Sequence, residues 1–229
     1  MGQSKQSVEL GRRLNYTFRQ DELLEQALTH RSKSTTNYER LEFLGDSVLG
    51  FTISSELFNR YPKLDEGELT RLRASLVNKN TLAALARDIN IGAHLILGEG
   101  ELKSGGYDRD SILADSLEAV IGAISKDSSV DEAMRVIRHL YRDHLENLDP
   151  ASIPKDPKTQ LQEFLQKNSL PPPTYVIREI TGEPHSQNFV VECLVTGVNT
   201  VVQGEGSSRR HAEQEAAAKA LDLLVRSDA

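Results

Sequence analysis

The stretch from Glu39 to Asp46, which reads E-R-L-E-F-L-G-D, constrains the fold more than any other part of the chain. At about 100° per residue, Glu39, Glu42 and Asp46 fall within one narrow sector of a helix. That sector continues with Leu49, Ile53 and Leu57, and the opposite side carries Leu41, Leu44, Val48 and Phe51. Past its first turns such a helix is apolar nearly all round, which predicts a central, buried position. The carboxylates then stand at the mouth of a buried face, spaced i, i+3 and i+7, where like charges repel. No Lys or Arg lies three or four residues from any of them. Another source of positive charge is needed, and a metal ion is the first candidate. Thr36 and Glu39 also match a capping box, so Glu39 has a structural reading as well. Capping does not reach Glu42 or Asp46, which lie deeper in the helix.

A second stretch repeats the pattern. Ser111 to Ser125 predicts a helix capped by Asp110 and apolar on nearly every side, with Asp115 and Glu118 as its only acids. They stand i and i+3 on one face beside Ala119 and Gly122, with no basic residue within reach along the helix. A solvated acidic face brings several charges and some lysines, and this helix has neither.

The other helices predicted before Pro150 are Ser7 to Asn15, Asp21 to Leu28, the central Asn37 to Asn59, a segment opened by Asp65-Glu66-Gly67-Glu68, Asn80 to Asp88, and Val130 to Asn147. His30, alone at a helix end, reads as a packed or terminal residue rather than a ligand. Gly98 to Gly106 is glycine-rich but lacks the Gly-Lys-Ser/Thr of a phosphate loop, and it reads as a flexible connection. No convincing strand is found, and this part of the chain reads as all-α.

Three prolines between Asp149 and Pro157 mark a linker. Beyond it, Asp156 caps a helix that has Pro157 at its first position and runs to about Lys167. Three β-like runs follow, Thr174 to Thr181, Gln187 to Val195 and Thr200 to Gly206, with turns at Gly182–His185 and Gly197–Asn199. A last helix, Ser208 to Val225, carries Ala212, Ala216 and Ala220 on one side. The order α-β-β-β-α describes a small α+β domain. The expected division is therefore residues 1–148, a linker at 149–156, and a second domain at 157–226. Arg209, Arg210 and His211 occupy the first turn of the last helix, where the dipole disfavours cations and favours a bound anion. Gly204 and Gly206, just before it, read as a loop that lets phosphate come close.

Charge sharpens the question of partners. The net charge is −7, and it is shared between the halves: residues 1–150 hold 19 basic and 24 acidic side chains, and the remainder holds 8 and 10. A general affinity for nucleic acid is disfavoured, so any such site must be a local patch or one where bound cations offset the acids. The single cysteine, Cys193, excludes an internal disulfide and a multi-cysteine zinc site, and it reads as a reduced thiol in a strand. No apolar run approaches the roughly 20 residues of a membrane span, and the polar N-terminus lacks a signal-peptide core. A cytoplasmic location without membrane contact is the expectation.

Both halves resemble parts of one family. The run ERLEFLGDS at Glu39–Ser47 is similar to the signature of the bacterial ribonuclease III endonucleases, and DSLEA at Asp115–Ala119 resembles their second acidic motif. The α-β-β-β-α tail looks like a double-stranded-RNA-binding domain, with GEPH at Gly182–His185 and GSSRRHAE at Gly206–Glu213 in the contact positions. The resemblance implies a homodimeric, Mg²⁺-dependent enzyme, with Mn²⁺ as a substitute and no small-molecule cofactor. It would cut double-stranded RNA to 5′-phosphate and 3′-hydroxyl ends with short 3′ overhangs, processing rRNA precursors and some mRNA and tRNA precursors. By the same resemblance Asp46 and Glu118 are catalytic, and Glu42, Asp115 and Glu118, with Asp46, form the metal-binding set. Glu39 and Glu66 match further acids tied to RNA handling or dimer contacts, and Phe43 matches an aromatic at the dimer interface. In the tail, Gln160, Glu163, His185, Arg209 and Arg210 are the expected RNA contacts. Many such domains place a lysine where this chain has Glu213, which predicts modest, salt-dependent affinity from that domain alone.

Elementary chemistry agrees with this assignment. Carboxylates without His or Cys suit Mg²⁺, and two such ions about 3.5–4 Å apart can activate a water and stabilise a departing 3′ oxygen. Two other readings remain to be separated from it. One is a double-stranded-RNA-binding protein that does not cut, which needs loss of a carboxylate, and none is missing. The other is a metal hydrolase of small phosphate esters, against which the basic helix start and the GEPH loop speak.

Overall fold

The computed structural model describes residues 5–152, 156–183, 187–196 and 201–227, and the chain divides into two units, Met1–Ile153 and Pro154–Ala229. The helices of the first unit are α1 (Lys5–Leu14), α2 (Asp21–Leu28), α3 (Glu39–Arg60), α4 (Glu66–Leu76), α5 (Lys79–Asp88), α6 (Glu99–Lys103), α7 (Asp110–Asp127), α8 (Val130–Leu140) and α9 (Arg142–Glu146). Among the described residues of this unit, β structure is confined to an isolated bridge between Thr29 and Ile96.

Helix α7 is the hub, with Leu117, Val120, Ile121 and Ile124 fully buried and α2, α3, α5 and α8 packed around it. Helix α3 answers with Leu49, Ile53 and Leu57, also buried. The two helices cross at backbone distance. A Cβ on Gly45 would lie 1.7 Å from the Glu118 carbonyl oxygen, and one on Gly122 would lie 2.1 Å from that of Leu41. Only glycine permits this approach, because real side-chain atoms do not come so close.

Several expectations need correction. Helix α3 is not buried all round, because Phe43, Phe51 and Phe58 on one face are 77%, 61% and 69% exposed. Its apolar character serves two faces, one against α7 and one turned outward. The Thr36–Glu39 capping box does not form: the Glu39 N–H donates to Asn37 Oδ1 at 3.0 Å, and Tyr38 holds the N-cap position. Asp110 lies inside α7 rather than capping it, and its carboxylate accepts from Arg87 of α5 at 2.7 Å. The Gly98–Gly106 stretch is not a free connection, since it folds into α6 and a 3₁₀ turn at Gly106–Asp108. Arg109 ties it down through Glu101 at 2.7 Å. The long helix expected from Val130 to Asn147 breaks at Tyr141, whose fully buried ring sends its hydroxyl to the Leu76 carbonyl at 3.2 Å.

One buried acid has a purely structural task. Asp127, at the end of α7, accepts from the Tyr16 hydroxyl at 2.6 Å and from the backbone N–H groups of Arg19 and Gln20 at 2.9 Å each. It thereby caps α2 from another helix, in place of a local side-chain cap.

The second unit comprises α10 (Pro157–Lys167), strands β1 (Thr174–Thr181), β2 (Asn188–Leu194) and β3 (Val202–Gly206), and α11 (Arg209–Ser227). The strands pair antiparallel in the order β1-β2-β3, with Tyr175 opposite Cys193 and Cys193 opposite Val202. Leu161, Leu165, Cys193, Val202, Ala216, Ala217 and Ala220 form its core. Asp156 caps α10 as expected, accepting from Lys158 N and Thr159 N. Gly204 and Gly206 are strand residues, not a phosphate-approach loop. A Cβ on Gly204 would meet Ala212 O and Ala216 N at 2.3 Å each, so glycine lets α11 lie directly on β3. His185 and the Gly197–Asn199 turn lie outside the described residues. No helix of the described residues is long and apolar enough to cross a membrane.

Candidate active site

Glu42 projects from the first turns of α3, and Asp115 and Glu118 project from α7 one turn apart. The glycine crossing brings these elements together, and one carboxylate oxygen from each of the three residues lies within 4.8 Å of the others. All three side chains are half-buried. Burial is the main cause that raises Glu42, from 4.5 to about 7, with the charges of Asp115, Glu39 and Asp46 adding to it. Burial likewise raises Glu118 to about 8, helped by Asp46, Glu42 and Asp115. Asp115 is also raised by burial, against the opposing pull of Tyr38, His30 and Arg31.

Beside the cluster lies a cavity of about 400 Å³, lined in part by His30, Arg31, Tyr38, Glu39, Glu42 and Asp115. The buried Tyr38 points its hydroxyl at Asp115 Oδ2, 3.5 Å away. His30 is buried against Tyr38, with ring centres 5.6 Å apart, and its Nδ1 lies 2.7 Å from Ser32 Oγ. Burial holds His30 below its ordinary value, so it adds no fixed cation at neutral pH. Arg31 meets Glu39 at 3.6 Å, with both side chains largely exposed, a pairing worth little by itself.

The carboxylates expected at the site therefore divide. Glu42, Asp115 and Glu118 converge, whereas Asp46 sits one turn along α3 from Glu42, exposed at the edge of the group. Glu39 is exposed and engaged by Arg31. Glu66 is the first residue of α4, where it accepts from the Thr70 hydroxyl at 2.9 Å. It lines a separate cavity with Phe58, Leu69 and Arg73. In the second unit Gln160 is half-buried and Glu163 exposed on α10, and Arg209 and Arg210 are exposed at the start of α11. Arg209 is held by Glu213 at 2.8 Å. Sequence reasoning did not find Gly45 as a crossing point, nor Tyr38 and Arg31 as neighbours of the acids. The signal available was a glycine inside each acidic helix, which only the contact between helices explains.

The donor set fits a hard divalent cation. It offers oxygen alone, the donors converge, and burial makes their combined ionisation costly without a positive partner. Divalent metal use is also what the resemblance of the two acidic motifs implies.

The comparisons with known proteins point the same way. A family model described as Ribonuclease-III-like matches residues 20–145, and one described as Double-stranded RNA binding motif matches residues 157–224. The chain is 53% identical over 217 residues to Ribonuclease 3 of Vibrio cholerae, covering 95% of this chain and 96% of that protein. The crystal structure of the nuclease domain of ribonuclease III from Campylobacter jejuni is similar at 38% identity with a TM-score of 0.61, covering 64% of this chain and all of that one. A second structure of that domain, described as showing structural flexibility in a region involved in dimer formation, is 40% identical with a TM-score of 0.58, covering 59% of this chain and 95% of that one. The helical unit with its acidic cluster and the α-β-β-β-α unit after it thus have one account: the chain belongs to the ribonuclease III family and is a double-stranded-RNA-specific endoribonuclease.

Proposed function

We propose that this enzyme hydrolyses duplex RNA with Mg²⁺ as a homodimer in the cytoplasm. The products are 5′-phosphate and 3′-hydroxyl ends with short 3′ overhangs, and the substrates include rRNA precursors and some mRNA and tRNA precursors. The convergence of Glu42, Asp115 and Glu118 within 4.8 Å carries this reading. These three residues hold the cation, and their all-oxygen character accepts Mn²⁺ as well. When bound, the cation supplies Lewis-acid stabilisation for charge building on the phosphoryl oxygens. Asp46, exposed at the rim, orients a water and takes its proton, and Glu118 is catalytic through the cation it helps to hold. Glu39 and Glu66 act at the edges, in RNA handling or subunit contact.

Phe43, Phe51 and Phe58 give α3 an exposed apolar face that supports the homodimer. In the second unit, residues 157–226, Gln160, Glu163, His185, Arg209 and Arg210 contact the duplex by its shape and phosphates. Duplex RNA incubated with Mg²⁺, with EDTA, and with the Asp46→Asn variant tests the reading. Cutting in the first case alone is expected. Equal degradation of single-stranded RNA, or cutting unaffected by EDTA, would sink it.

Metal and pH provide a readout that does not depend on activity. Without metal, the folded protein binds more protons than the unfolded chain between about pH 4.5 and 8, because Glu42 and Glu118 are raised to about 7 and 8. The contribution of these two groups to stability is therefore full below that window and is lost as pH rises through it. A cation favours the ionised forms, so the rise in Tm on adding Mg²⁺ should grow from pH 5 to pH 8. Tm curves with the same slope in EDTA and in Mg²⁺ would show that the cluster holds no ion.

Residues 149–156 are proposed as the linker. Deleting residues 151–229 is then expected to leave a folded dimer that still cuts at low salt. An unfolded or monomeric fragment in sedimentation would refute the boundary or the dimer.

A further inference from the structure

Glu213 stands in the second turn of α11, an acid among the residues expected to face RNA, and it is only 8% exposed. Its Oε1 accepts from Arg209 Nε at 2.8 Å, and its Oε2 accepts from Lys158 Nζ at 2.5 Å. Lys158 belongs to the first turn of α10, and its ammonium also lies 4.4 Å from the centre of the Tyr175 ring on β1. The next residue continues the link. The Gln214 amide donates to Asp156 and its Oε1 accepts from Lys158 N at 3.3 Å, while Asp156 caps α10. The starts of two helices, each bearing expected RNA contacts, are thus tied together through one adjacent pair of side chains. Burial pushes the Glu213 carboxyl up, but the hydrogen bonds from Lys158 and Arg209 outweigh it and hold the group below its ordinary value.

The consequence falls on Arg209. Its Nε is committed inward, yet the side chain remains 62% exposed, which leaves the two terminal nitrogens for a second partner. A guanidinium anchored in this way presents a planar fork, the geometry that grips phosphate. We propose that Glu213 is a positioning residue for duplex binding: by gripping Arg209 and Lys158 together, it aims the Arg209 guanidinium at an RNA phosphate and sets the spacing of α10 and α11. The inference rests on the reading of this unit as the duplex-binding one. It carries an unusual sign. Removing an acid from a surface that meets a polyanion should tighten binding by electrostatics alone, whereas loss of this grip should weaken it.

The test uses the full chain in EDTA and fluorescence anisotropy on a duplex longer than the roughly 16 base pairs one such domain spans. Glu213→Gln is expected to bind about tenfold more weakly at ~0.1 M salt, and Arg209→Gln by a similar factor. In the Arg209→Gln background, Glu213→Gln should add less than about twofold, since both changes remove one contact. Binding by Glu213→Gln as tight as or tighter than that of the unmodified chain overturns the inference, and so do losses that multiply. Circular dichroism monitors folding. If Glu213→Gln unfolds the unit, Arg209→Lys decides, because a lone ammonium taken by Glu213 leaves no fork. A loss of about tenfold then supports the inference, and unmodified affinity overturns it. Arg210→Gln separates the two levels. If it weakens binding and Glu213→Gln does not, only the positioning role fails; if the unmodified chain does not prefer duplex over single strands, the duplex-binding reading fails with it.

Discussion

Glu118→Gln is expected to bind duplex RNA within about twofold of the unmodified chain while cutting it at least about 10³-fold more slowly. The substitution keeps the shape of the side chain and removes the negative charge of one of three groups whose oxygens lie within 4.8 Å of one another. Glu118 is also raised to about 8, by burial and by Asp46, Glu42 and Asp115, so its negative charge is favoured there only with a cation to offset it. Binding should survive because the basic start of α11 lies in the other unit. Gel shift and cleavage on the same RNA check this, and equal losses in both would remove the assigned role. The loss of one negative charge should also raise the metal-free Tm above pH 7, because the remaining carboxylates repel less.

Gly45→Ala should be the most damaging small substitution in the chain. The added methyl would meet the Glu118 carbonyl oxygen at 1.7 Å and its carbon at 2.6 Å, both backbone atoms that no side-chain rotation can move. Helices α3 and α7 must then separate, which opens their shared core and moves Glu42 away from Asp115 and Glu118. Overpacking of this kind costs about 3 kcal/mol, a fall in Tm of roughly 10 °C for a unit of this size. Gly122→Ala should behave alike, since its Cβ would reach the Leu41 carbonyl oxygen at 2.1 Å. Gly100→Ala, with nothing within 4 Å, is the control and should be neutral. A normal Tm for Gly45→Ala would mean that the crossing is looser than described.

These two experiments mark where sequence reading succeeds and where it stops. The acids were legible because a carboxylate in a helix that is otherwise apolar has few structural uses, and periodicity places it on a face. The α-β-β-β-α order was legible for a similar reason, since Pro157 and the glycine turns punctuate it. The crossing was not, because a glycine within a helix registers only as a propensity penalty and its partner backbone is remote in sequence. Gly204 misled for the same reason: beside Ser207 and Ser208 it resembles a loop, although it exists to let Ala212 and Ala216 approach. Asp110 and Glu39 looked like caps because their partners, Arg87 and Arg31, come from other segments. Past its first turns helix α3 reads as central and buried because hydrophobicity alone does not distinguish burial in one's own core from an apolar face turned outward.

The bond that caps α2 has a consequence for how the chain comes into being. Asp127 reaches back across 107 to 111 residues to Tyr16, Arg19 and Gln20. On a growing chain, α2 and the segment before it have no such anchor until the end of α7 has been made. Contacts of such long sequence separation form late and slow folding, because the intervening loop must close first. The acids of α3 are synthesised before the helix that brings Asp115 and Glu118 to them, so repulsion between the two sets of acids opposes no early step. One helix, α7, thus carries both the acids that complete the charged centre and the carboxylate that fastens Tyr16, Arg19 and Gln20.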